Sequence, residues 1–442
     1  MRLIMLSILG FSTIVLFMFL VMTNRMSAFV AIIVSPIIFA IVGGFGQDLG
    51  PMMLEGIKLV APTAVLLLFA VLYFGVMMNV GLFDPISRSI LKIAKGDPVK
   101  IVVGTAILAL LVALDGDGTT SYMIICSAML PIYKKLGINP LILATIAVMS
   151  LGTISGMTPW GGAATRAISV LGLDATEYFT PLIPAILCGS AWIILTAYVL
   201  GRRERKRLGI IQLEKINQEM AANQEMAATI AEGQPVTSKL VWFNFLLTLA
   251  LMVALIMGLA PLPVLFIVGF VIALSVNHPN LAEQKSIIKE NASHAVPVVM
   301  LVLGAGIFTG ILSGTKMVDS MASDLLRIVP DSLGPFFTII VGLISLPLSF
   351  LMSNDAFFFG ALPVLAQSAS EYGINSMEIA RAAVIGQPLH SMGPTSAPLW
   401  VLLELVRRDL GQFQRYALIP VTILSLMFIV FALITGAISI AR

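Results

Sequence analysis

Charge is scarce in this sequence: only 11% of its 442 residues are Asp, Glu, Lys or Arg, against roughly 25% in an ordinary soluble domain. This excludes a soluble enzyme. The 26 basic and 23 acidic residues leave a net charge of +3, which is too small and too dispersed for a nucleic-acid surface. The two cysteines, Cys126 and Cys188, both lie in apolar stretches. They indicate no disulfide framework, and we expect both to be small buried residues.

Several enzyme and pump motifs are also missing. The sequence contains no HExxH motif, no P-loop and no histidine pair at metal-ligand spacing, which disfavours an ATP-driven pump, an intramembrane metalloprotease and a membrane enzyme in general. Apolar residues are abundant instead: 58% of the chain is hydrophobic, and the mean hydropathy is +1.01. Many apolar runs approach the roughly 20 residues that cross a bilayer. We therefore predict an all-α polytopic protein of the cytoplasmic membrane, which is the inner membrane of the cell.

A polar stretch in the middle divides the chain in two. It begins with five basic residues within 202–207 and continues to Lys239, with the hexapeptide NQEMAA occurring twice in tandem. We predict a first repeat over 1–201, a linker over 202–239 and a second repeat over 240–442. Because basic residues concentrate in cytoplasmic loops, the linker is predicted to be cytoplasmic and both termini to lie outside.

Distinctive residues recur in the two halves at nearly one offset. Pro62 and Pro297 are 235 residues apart (297 minus 62), and Gly-Ile-Asn at Gly137 recurs at Gly373, 236 residues later (373 minus 137). Such recurrence indicates a diverged internal repeat. The segment 84–100 carries four basic and two acidic residues, whereas its counterpart 319–331 carries one basic and three acidic. The two loops should face opposite sides, which predicts inverted repeats.

Each repeat is predicted to cross the membrane five times. The predicted spans of the two repeats are 3–22, 28–43, 57–80, 140–173 (broken) and 180–200, then 240–258, 262–276, 295–314, 376–406 (broken) and 417–440. Between the third and fourth spans of each repeat, 101–133 and 333–372 consist of two apolar arms around a polar centre. We predict re-entrant helical hairpins that turn back inside the membrane, where irregular backbone is tolerated only beside protein or a water-filled cavity.

The first hairpin centre reads Asp115-Gly-Asp117-Gly118-Thr119-Thr120. A carboxylate at mid-bilayer costs roughly 2.5 to 3.5 kcal/mol, so two of them favour a functional role. We predict that Asp115 and Asp117 bind metal or protons and that Gly118, Thr119 and Thr120 contact substrate. A purely structural turn is the alternative.

The second hairpin centre reads Ser353-Asn354-Asp355 and offers a hydroxyl, an amide and a carboxylate. We predict that Ser353 and Asn354 contact substrate and that Asp355 serves metal or proton coupling. Asn and Asp also occur in ordinary turns, which remains the alternative.

The two broken spans supply the other half of each site. Proline with glycine unwinds a helix and leaves the N-terminus of a half-helix pointing into the gap, which favours anions, while freed carbonyls suit cations. The predicted substrate-binding residues of the two breaks are Thr158, Pro159, Gly161 and Gly162, and Ser391, Gly393, Pro394, Thr395 and Ser396. A simple packing kink is the alternative.

Two ionisable residues beside the breaks have two interpretations each. Arg166 either clamps a substrate carboxylate or, alternatively, snorkels or pairs with an internal acid. His390 either relays protons or only makes hydrogen bonds within the fold.

At these residues the chain resembles the CitMHS family of citrate–metal:proton symporters, within the ion transporter superfamily. The segments that carry the resemblance are LDGDGTTSYMI from Leu114, SAMLPIYKKLGI from Ser127, PWGGAATRA from Pro159, SNDAFFFGALPVLA from Ser353 and IGQPLHSMGPTSAPLW from Ile385.

The resemblance implies an elevator-type homodimeric symporter for citrate or a similar di- or tricarboxylate. Mg²⁺ or Ca²⁺ would belong to the transported complex, with no tightly bound cofactor. Chelation would remove most of the citrate charge and so lower its desolvation cost. The first tip reads Asp-Gly-Thr where the sodium:dicarboxylate branch has Ser-Asn-Thr, so the coupling ion stays open between H⁺ and Na⁺. A cation/proton exchanger and a sodium-coupled carboxylate transporter are the alternative functions.

Overall fold

The computed structural model describes residues 2–23, 25–82, 85, 89–90, 96–209, 238–326 and 331–440. Within these ranges the chain is helical, and no strand occurs. Eight of the described helices are long and apolar enough to cross a membrane, and their bounds are Ile4–Val21, Leu49–Asn79, Pro98–Asp115, Pro140–Leu171, Leu182–Leu208, Leu281–Gly314, Leu333–Leu351 and Leu410–Ile434. The prediction of a multi-pass membrane protein is thereby confirmed.

The α-helices are numbered in chain order. The first half contains α1 (Arg2–Met22), α2 (Ala28–Val42), α3 (Leu49–Asn79), α4 (Pro98–Val112), α5 (Gly118–Leu136), α6 (Pro140–Met157), α7 (Gly162–Leu171), α8 (Ala175–Phe179) and α9 (Leu182–Leu208). The second half contains α10 (Ser238–Ile256), α11 (Leu262–Asn277), α12 (Leu281–Gly314), α13 (Met317–Leu326), α14 (Phe337–Leu351), α15 (Leu362–Glu371), α16 (Ser376–Ala383), α17 (Gln387–His390), α18 (Ala397–Val406) and α19 (Leu410–Ile434).

Several helices extend beyond the apolar runs from which we predicted spans. α3 begins at Leu49 rather than 57, and α12 begins at Leu281 rather than 295. α9 continues to Leu208, so the first residues of the predicted linker are helical. Hydropathy finds only the apolar part of a helix, whereas backbone hydrogen bonding continues through its polar ends. Residues 210–237 of the linker, and most of the charged loop at 84–95, lie outside the described residues.

The long helices α3 and α12 cross at glycines. A Cβ on Gly56 would overlap the carbonyl oxygen of Gly306, and one on Gly310 would overlap that of Met52. Small residues four apart let two membrane helices approach closely enough for backbone contact. Of the two prolines that marked the repeat, Pro62 lies inside α3 and Pro297 lies inside α12.

Both predicted hairpins are helical arms joined by a short turn. α4 ends in a 3-10 turn over Ala113–Asp115, and Gly116, with φ 84°, reverses the chain into α5. Such a positive φ favours glycine over any residue with a side chain. In the second hairpin, α14 ends at Leu351, and a π-helical segment over Ala356–Ala361 leads into α15. π-Helical turns often occur at functional positions.

Both predicted breaks are present, and they lie side by side. α6 and α7 are separated by residues 158–161, and α17 and α18 by 391–396. A Cβ on Gly152 would overlap Pro388, and one on Gly156 would overlap the side chain of Gln387. α6 is almost completely buried, so the two broken helices meet at the centre of the fold.

One burial prediction is wrong. Cys126 is buried as expected, but Cys188 is exposed on the surface of α9. An apolar stretch in a membrane helix has a lipid-facing side as well as a core-facing one, and hydropathy does not distinguish them.

Candidate functional site

Each hairpin tip is held by the broken helix of the same half. In the first half, Ser155 Oγ donates to the carbonyl of Gly116 at 2.8 Å, and Trp160 Nε1 donates to the carbonyl of Leu114 at 2.8 Å. A Cβ on Gly161 would overlap the carbonyl of Ser155, so only glycine permits this turn. The first tip and the first break therefore form one rigid unit.

The second half repeats this arrangement with different side chains. His390 Nδ1 lies 2.6 Å from the carbonyl oxygen of Ser349, and Thr395 Oγ1 donates to the carbonyl of Met352 at 3.0 Å. His390 is 8% exposed. This contact agrees with the hydrogen-bonding interpretation of His390, and its proton-relay role stays a prediction.

The side chain of Asn354 also ties the second tip to its break. Its amide and that of Gln387 form two reciprocal hydrogen bonds, with N–O distances of 2.9 and 3.3 Å. Ser353 Oγ accepts from the backbone N–H of Ala356 at 3.2 Å. The polar groups of this tip are therefore mostly engaged inside the protein.

An ion pair joins the two halves. Arg166 Nε lies 2.6 Å from Asp355 Oδ1, and the exposed fractions of the two side chains are 20% and 19%. Arg166 Nη1 also donates to the carbonyl of Gly162 at 2.6 Å. Of the two interpretations of Arg166, the structure agrees with pairing to an internal acid.

A cavity of about 240 Å³ lies at the first tip. Its lining residues come from the tip and first break (Asp115, Gly116, Asp117, Thr120, Trp160 and Gly162), from α3 (Leu67, Val71, Gly75, Met78 and Asn79) and from α12 (Glu290, Asn291, His294 and Val298). Three of these side chains are carboxylic acids, and none is lysine or arginine. The cavity is therefore electronegative and suits a cargo that contains a cation.

The N-terminus of α7 adds backbone N–H groups, which favour anions, to a cavity whose carboxylates favour cations. α7 begins at Gly162, which lines the cavity, and no side chain caps its N-terminus. By contrast, the N-terminus of α5 is capped by Asp117, whose Oδ2 accepts from the N–H of Thr120 at 2.8 Å. Uncapped amides at a helix N-terminus attract anions. The end of the cavity at Gly162 can thus bind a carboxylate although three carboxylic acids also line the cavity.

The cavity brings together only part of the predicted site. Asp115, Asp117, Thr120 and Gly162 line it, whereas the residues predicted in the second half do not. Gly118 instead packs closely against Pro398 of α18. The second hairpin tip reaches the cavity only indirectly, because Asp355 pairs with Arg166, which in turn donates to the carbonyl of Gly162.

Other predicted residues lie outside the cavity lining. Thr158 Oγ1 is buried without a hydrogen-bond partner among the described residues, and the carbonyl of Pro159 accepts from Thr165. Ser391 Oγ donates to the carbonyl of Gln387 at 2.9 Å. Their contact with substrate stays a prediction.

Sequence reasoning missed the polar residues that α12 contributes. Glu290, Asn291 and His294 precede the predicted span 295–314 and therefore fall outside every predicted membrane span. Glu290 and His294 are four residues apart, a spacing that places two side chains on one face of a helix. That spacing was the available signal.

Comparisons with known proteins agree that the chain is similar to citrate transporters. The profile of a family described as Citrate transporter, CitMHS, matches residues 3–386. Two Bacillus subtilis (strain 168) proteins are each 48% identical to the chain: the Citrate transporter, over 98% of this chain, and the Mg(2+)/citrate complex secondary transporter, over 99% of it, in both cases along the relative's whole length. The crystal structure of the Alcanivorax borkumensis YdaH transporter is 15% identical, has a TM-score of 0.57, and covers 90% of each chain. This last likeness concerns the fold alone.

Proposed function

The chain belongs to the citrate transporter family, CitMHS, and we propose that it is a secondary active symporter that carries citrate, or a similar di- or tricarboxylate, as a complex with a divalent cation. Its family and relatives are transporters, so it is a transporter and not an enzyme. Mg²⁺ is the first metal to consider, because one relative is named for a Mg²⁺/citrate complex. Ca²⁺ is the second.

The charge of the cavity carries the proposal. Asp115, Asp117 and Glu290 line it, and no lysine or arginine does. A free tricarboxylate would be repelled by three carboxylates, whereas a chelate presents a metal ion to them. Chelation also lowers the charge that must leave water. The uncapped N-terminus of α7 at Gly162 is then the place for a citrate carboxylate.

For the transport cycle, we propose inverted repeats and an elevator movement in a homodimer. Each half has a long proline-containing helix, a hairpin and a broken helix in the same order, which supports the repeat. The hydrogen bonds between each tip and its break support movement of these elements as one body. The close glycine contact between α3 and α12 supports a second rigid body. The hairpins and broken helices would move against it.

The described conformation is proposed to be open toward the cytoplasm. The cavity extends to Asn79 at the end of α3 and to Glu290 near the start of α12. The basic stretch at 202–207 supports a cytoplasmic linker, and counting crossings from such a linker puts both helix ends on the cytoplasmic side of the proposed topology. Engineered single cysteines at Lys134 and Glu371 test this topology, because they should be labelled from opposite sides of the membrane. Labelling from one side would refute the inversion.

Uptake into proteoliposomes tests the function. Labelled citrate should enter when Mg²⁺ or Ca²⁺ is present, and uptake should fall sharply when the metal is chelated by an impermeant competitor. Imposed proton and sodium gradients, applied separately, identify the coupling ion, which we expect to be H⁺. Citrate flux that is absent under every metal condition would end the proposal and favour a cation/proton exchanger.

A further inference from the structure

We propose that the turn of α12 that carries Glu290, Asn291 and His294 is the second wall of the cargo site, with oxygen atoms of Glu290 and Asn291 facing the divalent cation and His294 donating to a carboxylate. This inference rests on the proposed function. It assigns cargo contacts to a helix outside the hairpins and the broken helices.

The cavity is lined by different parts of the fold. The first hairpin tip and first break contribute some of the lining residues, and α3 and α12 contribute the others. Glu290 and His294 are one helical turn apart and both are exposed, so their polar ends are free to reach a ligand in the cavity. They line the same cavity as Asp115 and Asp117.

Asn291 gives independent support for a ligand. Its side chain is only 7% exposed, and its Nδ2 donates to the carbonyl of Ile287 at 2.9 Å. Its Oδ1 packs against Gly75, where any Cβ would overlap it, and it accepts no hydrogen bond from the described residues. An amide oxygen that has no donor within the protein needs a ligand or a water molecule to satisfy it. Because Asn291 and Gly75 both line the cavity, a bound cation or a water molecule of its hydration shell can do so.

The chemistry of the wall matches the two parts of the cargo. Carboxylate and amide oxygens are preferred ligands of Mg²⁺ and Ca²⁺. An imidazole can donate a hydrogen bond to a carboxylate. The other titratable groups that line the cavity with His294 are Glu290 on its own helix and Asp115 and Asp117 on the hairpin. Such a wall would bind the chelate in preference to either free citrate or the free metal.

Uptake kinetics in proteoliposomes test the inference. Glu290→Gln and His294→Gln are compared with the wild type and with Glu283→Gln, which makes the same chemical change on the same helix outside the cavity. At excess Mg²⁺, the first two variants should raise the KM for citrate about tenfold, as expected for losing one interaction with a charged group. The control should stay within about twofold, as surface substitutions usually do.

Thiol protection provides a second measurement that does not depend on transport. In a background with the exposed Cys188 replaced by serine, Glu290→Cys is treated with a hydrophilic thiol reagent. Citrate with Mg²⁺ should slow the modification at least fivefold, whereas neither citrate nor Mg²⁺ alone should. Glu283→Cys should show no protection.

The outcomes separate this inference from the function on which it rests. Wild-type uptake with an unchanged KM in both variants, and no protection at position 290, would overturn the α12 wall and leave the proposed function intact. Absence of citrate uptake by the wild type would overturn both.

Discussion

Asp117 offers the sharpest test of the first hairpin tip, because its structural and functional roles can be separated. Its Oδ2 accepts a hydrogen bond from the N–H of Thr120 at 2.8 Å and so caps α5. It also lines the electronegative cavity. A substitution that keeps the cap and removes the charge will therefore distinguish the two roles.

The expected magnitudes follow from these contacts. Asn and Ser cap helices about as well as Asp, whereas Ala costs about 1 kcal/mol of stability. Asp117→Asn and Asp117→Ser should thus insert and remain as stable as the wild type. Loss of one charged contact to the cargo is worth about 1.5 to 3 kcal/mol, and each 1.4 kcal/mol is a factor of ten. Citrate uptake at subsaturating concentration should therefore fall about 10- to 100-fold.

The assay compares four proteins under the same conditions. Uptake of labelled citrate with Mg²⁺ is measured for the wild type, Asp117→Asn, Asp117→Ser and Asp117→Ala, and thermal stability in detergent is measured for each. We expect all three variants to lose transport and only the alanine variant to lose stability. Normal uptake by the asparagine and serine variants would show that Asp117 serves only as a helix cap, and our interpretation of the cavity charge would be wrong.

Two further predictions concern contacts that hold the site together. In a double-mutant cycle, Arg166→Gln and Asp355→Asn should each lower the free energy of unfolding by about 2 to 4 kcal/mol, because each leaves a mostly buried charge without its partner. The loss in the double variant should be smaller than the sum of the two single losses. Additive losses would show that the ion pair contributes nothing to stability. Gly161→Ala should abolish the folded, monodisperse protein, because the added Cβ would overlap the carbonyl of Ser155. Gly162→Ala should still fold, because its Cβ would meet only the flexible end of the Arg166 side chain. Equal yields of the two variants in size-exclusion chromatography would contradict this prediction.

Most of the elements could be predicted because their signals are local. Apolar runs marked the membrane helices, and Gly116 marked the reversal in the first hairpin, since few other residues adopt its backbone conformation. Proline and glycine marked the breaks. The ends of α3 and α12 could not be placed in this way, because their polar turns carry no hydropathy signal although they continue the helix.

The candidate site was predicted only in part for a related reason. Asp115 and Asp117 stood out as carboxylates within an apolar segment, and both line the cavity. The second tip also stood out, but its Asn354 is hydrogen bonded to Gln387. Whether a polar side chain faces a cavity or another side chain depends on the packing of distant helices.

By itself the sequence determined that this is a multi-pass membrane protein with two helical hairpins and two broken helices, because hydropathy and turn chemistry act over a few neighbouring residues. The tertiary structure alone decided which groups face one another. Arg166 and Asp355 are 189 residues apart and form an ion pair, and the polar turn of α12 meets the first hairpin tip across a cavity. No periodicity encodes such contacts, since they arise only when glycines such as Gly152 let the broken helices pack together.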